Sequence, residues 1–269
     1  MKKNIVPLIA AIGGFSLIVY AIGSDGGTFA MFWSLSSVII TVIGSFAALL
    51  ISYPFKYIKT IPSLLKQIFN EPSSQRLEIV EMFSELARKA RREGLLSLED
   101  DIAAIEDPFL KKGLQMVVDG MEPKTISEIM ELEIDAIDET KSKGESIFRS
   151  WGELAPAFGM LGTLIGLIIM LADLHDMDSI GIGMATALIT TFYGSLFANL
   201  FFIPFANNLK AQKEDELYTR EMMVEGILAI QSGVNPRVVE ERLSAYLTPE
   251  ERLQKTERLR QPQVVMENE

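Results

Sequence analysis

LAPAFGMLGTLIGLIIMLADL, residues 154–174, contains no Lys, Arg or Glu, and its one Asp is the last residue but one. A helix rises about 1.5 Å per residue, so about 20 apolar residues cross a hydrocarbon core of about 30 Å. This stretch is long enough to do so. Residues 180–206 form a second such stretch. Towards the amino end, residues 5–23 and 32–53 form two more, the first broken only by Pro7 and the second ending at Pro54. Four membrane spans are expected. The composition fits, because 48% hydrophobic residues, 23% charged residues and a mean hydropathy of +0.23 coexist only when the apolar residues are gathered in blocks. Lys2-Lys3 before the first block also suits a signal peptide. No small-x-small cleavage pattern follows, and a second apolar block begins within ten residues, so a retained first span is expected.

Basic residues set the orientation. Lys2 and Lys3 precede span one; Lys56, Lys59 and Lys66 follow span two; Lys143 and Arg149 precede span three; Lys210 and Lys213 follow span four. The two short connections carry Asp25, Asp173, Asp176 and Asp178 and no basic residue. All 25 Lys and Arg thus fall on one side, which the positive-inside rule makes cytoplasmic. Both termini are expected on the cytoplasmic side, with two short external loops. Four buried helices of a soluble protein would not sort charge this way.

Several classes are excluded. A net charge of −11 argues against nucleic acid as a partner, which needs a basic surface. No cysteine is present, so disulfides and thiolate metal sites are absent. His175 is the single histidine, too few for a usual zinc site. No nucleophile–base pair or Gly-rich phosphate loop marks an enzyme.

The expected organisation is all-α: spans one and two in 1–54, a cytoplasmic helical domain in 55–150, spans three and four in 151–206, and a cytoplasmic helical tail in 207–269. Ser73-Ser74 can cap a helix with Leu77, Val80, Phe83 and Leu86 on one face, ending near Gly94. Ser97 is expected to cap the next, with Glu99 and Asp100 in its first turn. Asp107-Pro108 restarts a helix that ends near Gly120. Glu122-Pro123 opens a long one with Ile126, Ile129, Met130, Ile134 and Ile137 on one stripe, running towards span three. Asn235-Pro236 opens a tail helix with Val238, Val239, Leu243 and Leu247. From about Glu257 the chain is polar and expected to be disordered.

Ionisable groups inside a span are costly and mark function. None lies in the apolar core of these spans, so the chain lacks the carboxylate on which ion relays depend. It has small and hydroxyl residues instead. Gly162 and Gly166 are four apart on span three, beside Gly159 and Thr163, so a neighbouring helix can approach closely. On span four Ala187, Thr191, Ser195 and Asn199 lie four apart, with Thr186 and Thr190 nearby. Helix packing and the lining of an ion path both remain open for these residues; Thr oxygens suit a hard cation such as sodium. Pro156 and Pro204 stand near the cytoplasmic ends of spans three and four, as static bends or as paired hinges. Ala87-Arg88-Lys89-Ala90-Arg91-Arg92-Glu93-Gly94 is the densest basic run, either a solvated face or a docking surface; it lies some 35 residues from span two, which speaks against lipid binding there.

These stretches resemble the MotA/PomA/MotP subunits of bacterial flagellar stators over nearly the whole chain. Residues 90–99 (ARREGLLSLE), 107–114 (DPFLKKGL), 155–167 (APAFGMLGTLIGL) and 190–194 (TTFYG) carry the resemblance, in order and spacing. It implies a pentamer around two copies of a MotB/PomB-type partner with one span and an essential Asp. Ion flow past that Asp turns the rotor protein FliG. It also implies that Arg91, Arg92 and Glu99 meet the rotor, that Pro156 and Pro204 serve ion flow and torque, and that Thr191 lines the ion path beside Thr190. Thr163 matches a position that is typically Thr in sodium-driven members and Ala in proton-driven ones, which favours sodium as the transported ion, with proton as the alternative. No covalent cofactor is implied. An ExbB/TolQ-type energiser has three spans, which the N-terminal pair here contradicts. A solute transporter would need a substrate-sized polar site or an internal repeat.

Overall fold

The computed structural model describes residues 5–70 and 76–260; Lys2, Lys3, Ser73 and Ser74 lie outside the described residues, as does the tail beyond residue 260. Every regular element among the described residues is helical. The helices are α1 (Val6–Ser24), α2 (Leu35–Ser52), α3 (Phe55–Ile58), α4 (Ile61–Ile68), α5 (Arg76–Glu93), α6 (Glu99–Ala104), α7 (Pro108–Val118), α8 (Pro123–Ala172), α9 (Met177–Gln231), α10 (Pro236–Ser244) and α11 (Pro249–Arg260). Four of them, α1, α2, α8 and α9, are long and apolar enough to cross a membrane. The chain divides into two compact units, Met1–Pro72 with Glu139–Lys213, and Ser73–Asp138 with Glu214–Glu269.

In the first unit, Ser34 caps α2 by accepting the Ser37 amide at 3.3 Å. Ser37, Thr41 and Ser45 follow at four-residue spacing and are fully buried on one face of α2. That face packs on α9, where Thr41 Oγ1 donates to the Thr190 carbonyl at 3.3 Å. At the other end Trp151 stacks on Phe202 with centroids 4.1 Å apart and donates its indole N–H to Ser45 Oγ at 3.2 Å. A π-helical turn widens α2 at Ile39–Ile43, and a second widens α9 at Ala198–Phe202. The second precedes Pro204 by two residues. Proline lacks the amide that would close the preceding turn, and its ring crowds the carbonyl four residues back, so a wider turn relieves that position. Short helices α3 and α4 belong to this unit: Ile58 packs with Leu49 and Ile147, and Ile68 with Phe148, Ala206 and Leu209.

The second unit has a large apolar core built on Phe83, Leu114, Ile126, Met130, Met222 and Ile227. Leu77, Val80, Phe83 and Leu86 all face into it, as their spacing predicts. Asp107 caps α7, accepting the amides of Phe109 and Leu110 at 2.9 and 3.1 Å, and Asn235 caps α10. Thr248 and Glu251 form a reciprocal capping box at the start of α11. Two local expectations fail. Ser97 caps nothing: residues Leu95–Leu98 form a 3-10 turn, and Ser97 Oγ donates to the Gly94 carbonyl at 2.7 Å, because burying Leu98 tightens the chain before α6 can begin. Residues 257–260 are helical rather than disordered, because α11 runs on to Arg260.

Candidate functional site

Two places in the chain collect the candidate residues. The first is the contact between the apolar parts of α8 and α9. Glycine makes it possible. A Cβ on Gly166 would collide with the Gly183 carbonyl and the Ala187 amide, and one on Gly162 with the Thr190 side chain. A Cβ on Gly159 would lie 2.9 Å from the Thr190 carbonyl. Across the contact, a Cβ on Gly194 would lie 2.7 Å from the Ala155 carbonyl and 3.0 Å from Pro156 Cα. The two backbones therefore touch from Gly166 to Ala155, where apolar surface gives no driving force against lipid and close packing must hold the pair.

The threonines divide by where this contact turns them. Thr190 is wholly buried, and its Oγ1 donates to the carbonyls of Thr186 and Ala187 at 2.9 and 3.0 Å. It is a packing residue between Gly162 of α8 and Thr41 of α2. Thr191 is exposed, as are Ser195 and Asn199; Thr191 Oγ1 donates to the Ala187 carbonyl at 3.3 Å and Asn199 Nδ2 to the Ser195 carbonyl at 2.9 Å. Ala187, expected on the same polar stripe, is buried against Gly166. Thr163 on α8 is half-buried, and its hydroxyl donates to the Met160 carbonyl at 2.6 Å. The Thr163 and Thr191 hydroxyls each spend their proton on their own helix and so present oxygen lone pairs outward. Pro156 lies inside α8 opposite Gly194. Pro204 is exposed on α9, next to Ile203, on which Gly152 packs.

Sequence reasoning missed several contributors here. Ser37, Thr41 and Ser45 form the buried hydroxyl face of α2, and Gly183 and Gly194 complete the close contact from the α9 side. The signal was available: Gly183, Ala187, Thr190 and Gly194 follow a four-three-four spacing, one helical face.

The second place is the turn from α5 to α6. Arg91 and Arg92 stand in the last turn of α5, where a positive charge suits the helix dipole. Gly94, at φ 87°, reverses the chain in a conformation that side-chain-bearing residues rarely adopt. Glu99 opens α6. Lys89 pairs with Asp101 at 2.7 Å and so ties the two helices; that hydrogen bond holds the ammonium above its ordinary pKa. Arg92 reaches only Glu93, at 3.4 Å, and Arg88 is turned back onto Ser84. Arg91 and Glu99 are exposed and have no ion-pair partner among the described residues. Around this turn Asp107 and Arg220 hold the scaffold, with Arg220 Nη1 on both carboxylate oxygens at 2.8 and 2.7 Å.

No group of three or more potential metal ligands exists among the described residues. A protein-family model, described as the MotA/TolQ/ExbB proton channel family, matches residues 101–222. Motility protein A of Borreliella burgdorferi is 43% identical over 93% of this chain and 96% of its own length. Chemotaxis protein PomA of Vibrio alginolyticus is 34% identical over 91% of this chain and 95% of its own. The structure of the flagellar MotAB stator complex from Bacillus subtilis superimposes with a TM-score of 0.83 at 36% identity, covering 92% of this chain and 98% of that one. With such identity across nearly its whole length, this chain belongs to the motility protein A family, within the group described as MotA/TolQ/ExbB.

Proposed function

We propose that the chain forms one wall of a sodium path in a flagellar motor stator, completed by a MotB/PomB-type partner whose single span carries an Asp. Membership of the family makes it a motor stator subunit and not an enzyme. The observation that carries the ion-path reading is the division of polar groups on α8 and α9. Thr191 presents oxygen on an open face and Thr163 on a half-buried one, while the apolar cores of both helices hold no carboxylate. A hard cation moving along such a wall needs oxygen ligands plus one compensating negative charge, which a second protein must bring. Thr190 supports the wall as packing. Gly159, Gly162 and Gly166 set its spacing, and Pro156 and Pro204 let α8 and α9 change bend as the ion passes.

The complete assembly in this reading is a pentamer of this chain around two partner copies in the bacterial inner membrane, both termini cytoplasmic. Segments 1–54 and 151–206 cross the membrane. Segments 55–150 and 207–269 carry its motion to FliG, which Arg91, Arg92 and Glu99 meet. The exposed, uncompensated Arg91 and Glu99 support that contact, because charge left unpaired at home is available for register and on-rate.

Co-expression with a partner bearing a membrane Asp, in a cell without stators, is expected to restore swimming; failure with every such partner sinks the reading. Swimming speed measured against external sodium at fixed pH identifies the ion. A rise with sodium, weakened by Thr163→Ala, supports sodium. Speed indifferent to sodium but responsive to pH assigns the path to protons.

A further inference from the structure

We propose that Lys56 and Lys59, propped on the rings of Tyr57 and Phe55, bind the phosphate of an anionic phospholipid headgroup at the end of α2. The inference rests on α2 crossing the membrane and not on which ion the protein carries.

Helix α2 ends at Ser52, and Lys56 follows four residues later. The helix breaks at Tyr53-Pro54, and a step of four residues beyond the span brings Lys56 within reach of the headgroup layer, about 5–7 Å deep beyond the hydrocarbon core. The segment is fixed there. Tyr53 donates to the Ser146 carbonyl at 3.0 Å and shares a hydrogen bond with Ser150 Oγ at 2.8 Å, and Ile58 is buried with Leu49 and Ile147. Those anchors turn Phe55, Lys56 and Lys59 outward, all exposed. Phe55 is 63% exposed, an amphipathic-interface position for an aromatic ring.

The ammoniums are held, not floating. Lys56 Nζ stands 4.7 Å from the Tyr57 ring centroid and Lys59 Nζ 5.0 Å from that of Phe55. Lys143 approaches the Tyr57 ring too, at 5.3 Å, but its charge is matched by Glu139 at 2.5 Å. Lys56 and Lys59 have no carboxylate partner among the described residues. Two pre-positioned, uncompensated cations on a chain of net charge −11 call for an external anion, and at this depth the abundant anion is a lipid phosphate. Inorganic phosphate has the same chemistry without the acyl chains, so the test must separate the two.

The purified stator complex in detergent is titrated with phosphatidylglycerol, phosphatidylcholine or inorganic phosphate, and bound lipid is counted by native mass spectrometry. Phosphatidylglycerol is expected to bind in preference to phosphatidylcholine. Each of Lys56→Gln and Lys59→Gln should weaken it about 5-fold, and the pair about 30-fold, from the usual contribution of one lysine near an anionic surface. Arginine at both positions should preserve binding, and Lys124→Gln, in the other unit, should leave it unchanged. Unaltered phosphatidylglycerol binding by either single variant overturns the proposal. So does displacement of the lipid by equimolar inorganic phosphate. The complex is not energised in this experiment, so its result is independent of torque and of the transported ion.

Discussion

The α8–α9 contact and the α5–α6 turn are built on opposite plans. In the first, glycines bring two backbones together and a single methyl group has nowhere to go. In the second, the candidate side chains are exposed and the apolar core lies beneath them. The difference teaches that loss of function means different things at the two places. On the proposed ion-path reading, a substitution in the membrane contact changes the wall itself, so structure and ion passage should fail together. A charge removed at the turn leaves the scaffold intact and changes only what it meets.

The largest effect should come from the core that supports the turn. Phe83 is fully buried and packs over Gly226, so Phe83→Ala should destabilise the protein by about 3–5 kcal/mol, read by chemical or thermal unfolding in detergent. A loss under 1 kcal/mol would show that the turn does not depend on that core. Gly162→Ala should cost about 1–3 kcal/mol through overpacking on Thr190, lowering both the melting temperature and swimming speed. Normal speed with a lowered melting temperature would separate packing from ion passage and break the comparison. Thr41→Val removes the hydroxyl that reaches the Thr190 carbonyl and should cost about 0.5–1.5 kcal/mol, the net worth of one hydrogen bond. The smallest stability effect belongs to Arg91→Ala, within about 0.5 kcal/mol, as for an exposed side chain with no partner. Swimming torque should nevertheless fall, and retained partner assembly, measured by co-purification, distinguishes a lost contact from a lost fold.

The sequence made the spans readable because membrane helices obey one strong rule, a sufficient length of apolar residues. It also showed that a helix opening at Pro123 would run on towards span three, since no proline stands between Pro123 and Pro156; the observed helix has 50 residues. Reading failed where burial is decided by neighbours. Thr190 and Thr191 are adjacent and chemically the same, yet about 100° of helical rotation puts one in the packing core and the other on an open face. The hydroxyls of Ser37, Thr41 and Ser45 sat unnoticed in an apolar run, because their significance lies in the α9 face they meet. At Ser97 a local capping rule lost to the burial of Leu98. The exposed charges of the turn were legible from the start, since density of charge in an acidic chain needs no tertiary context.

Cation flux into proteoliposomes tests the central claim most directly. Vesicles holding this chain alone, vesicles holding it with a one-span partner bearing a membrane Asp, and vesicles in which that Asp is replaced by Asn are compared under the same imposed gradient. Flux is expected only in the second, because the apolar cores of α8 and α9 supply oxygen but no carboxylate. Comparable flux through this chain alone, or through the Asn complex, would contradict it.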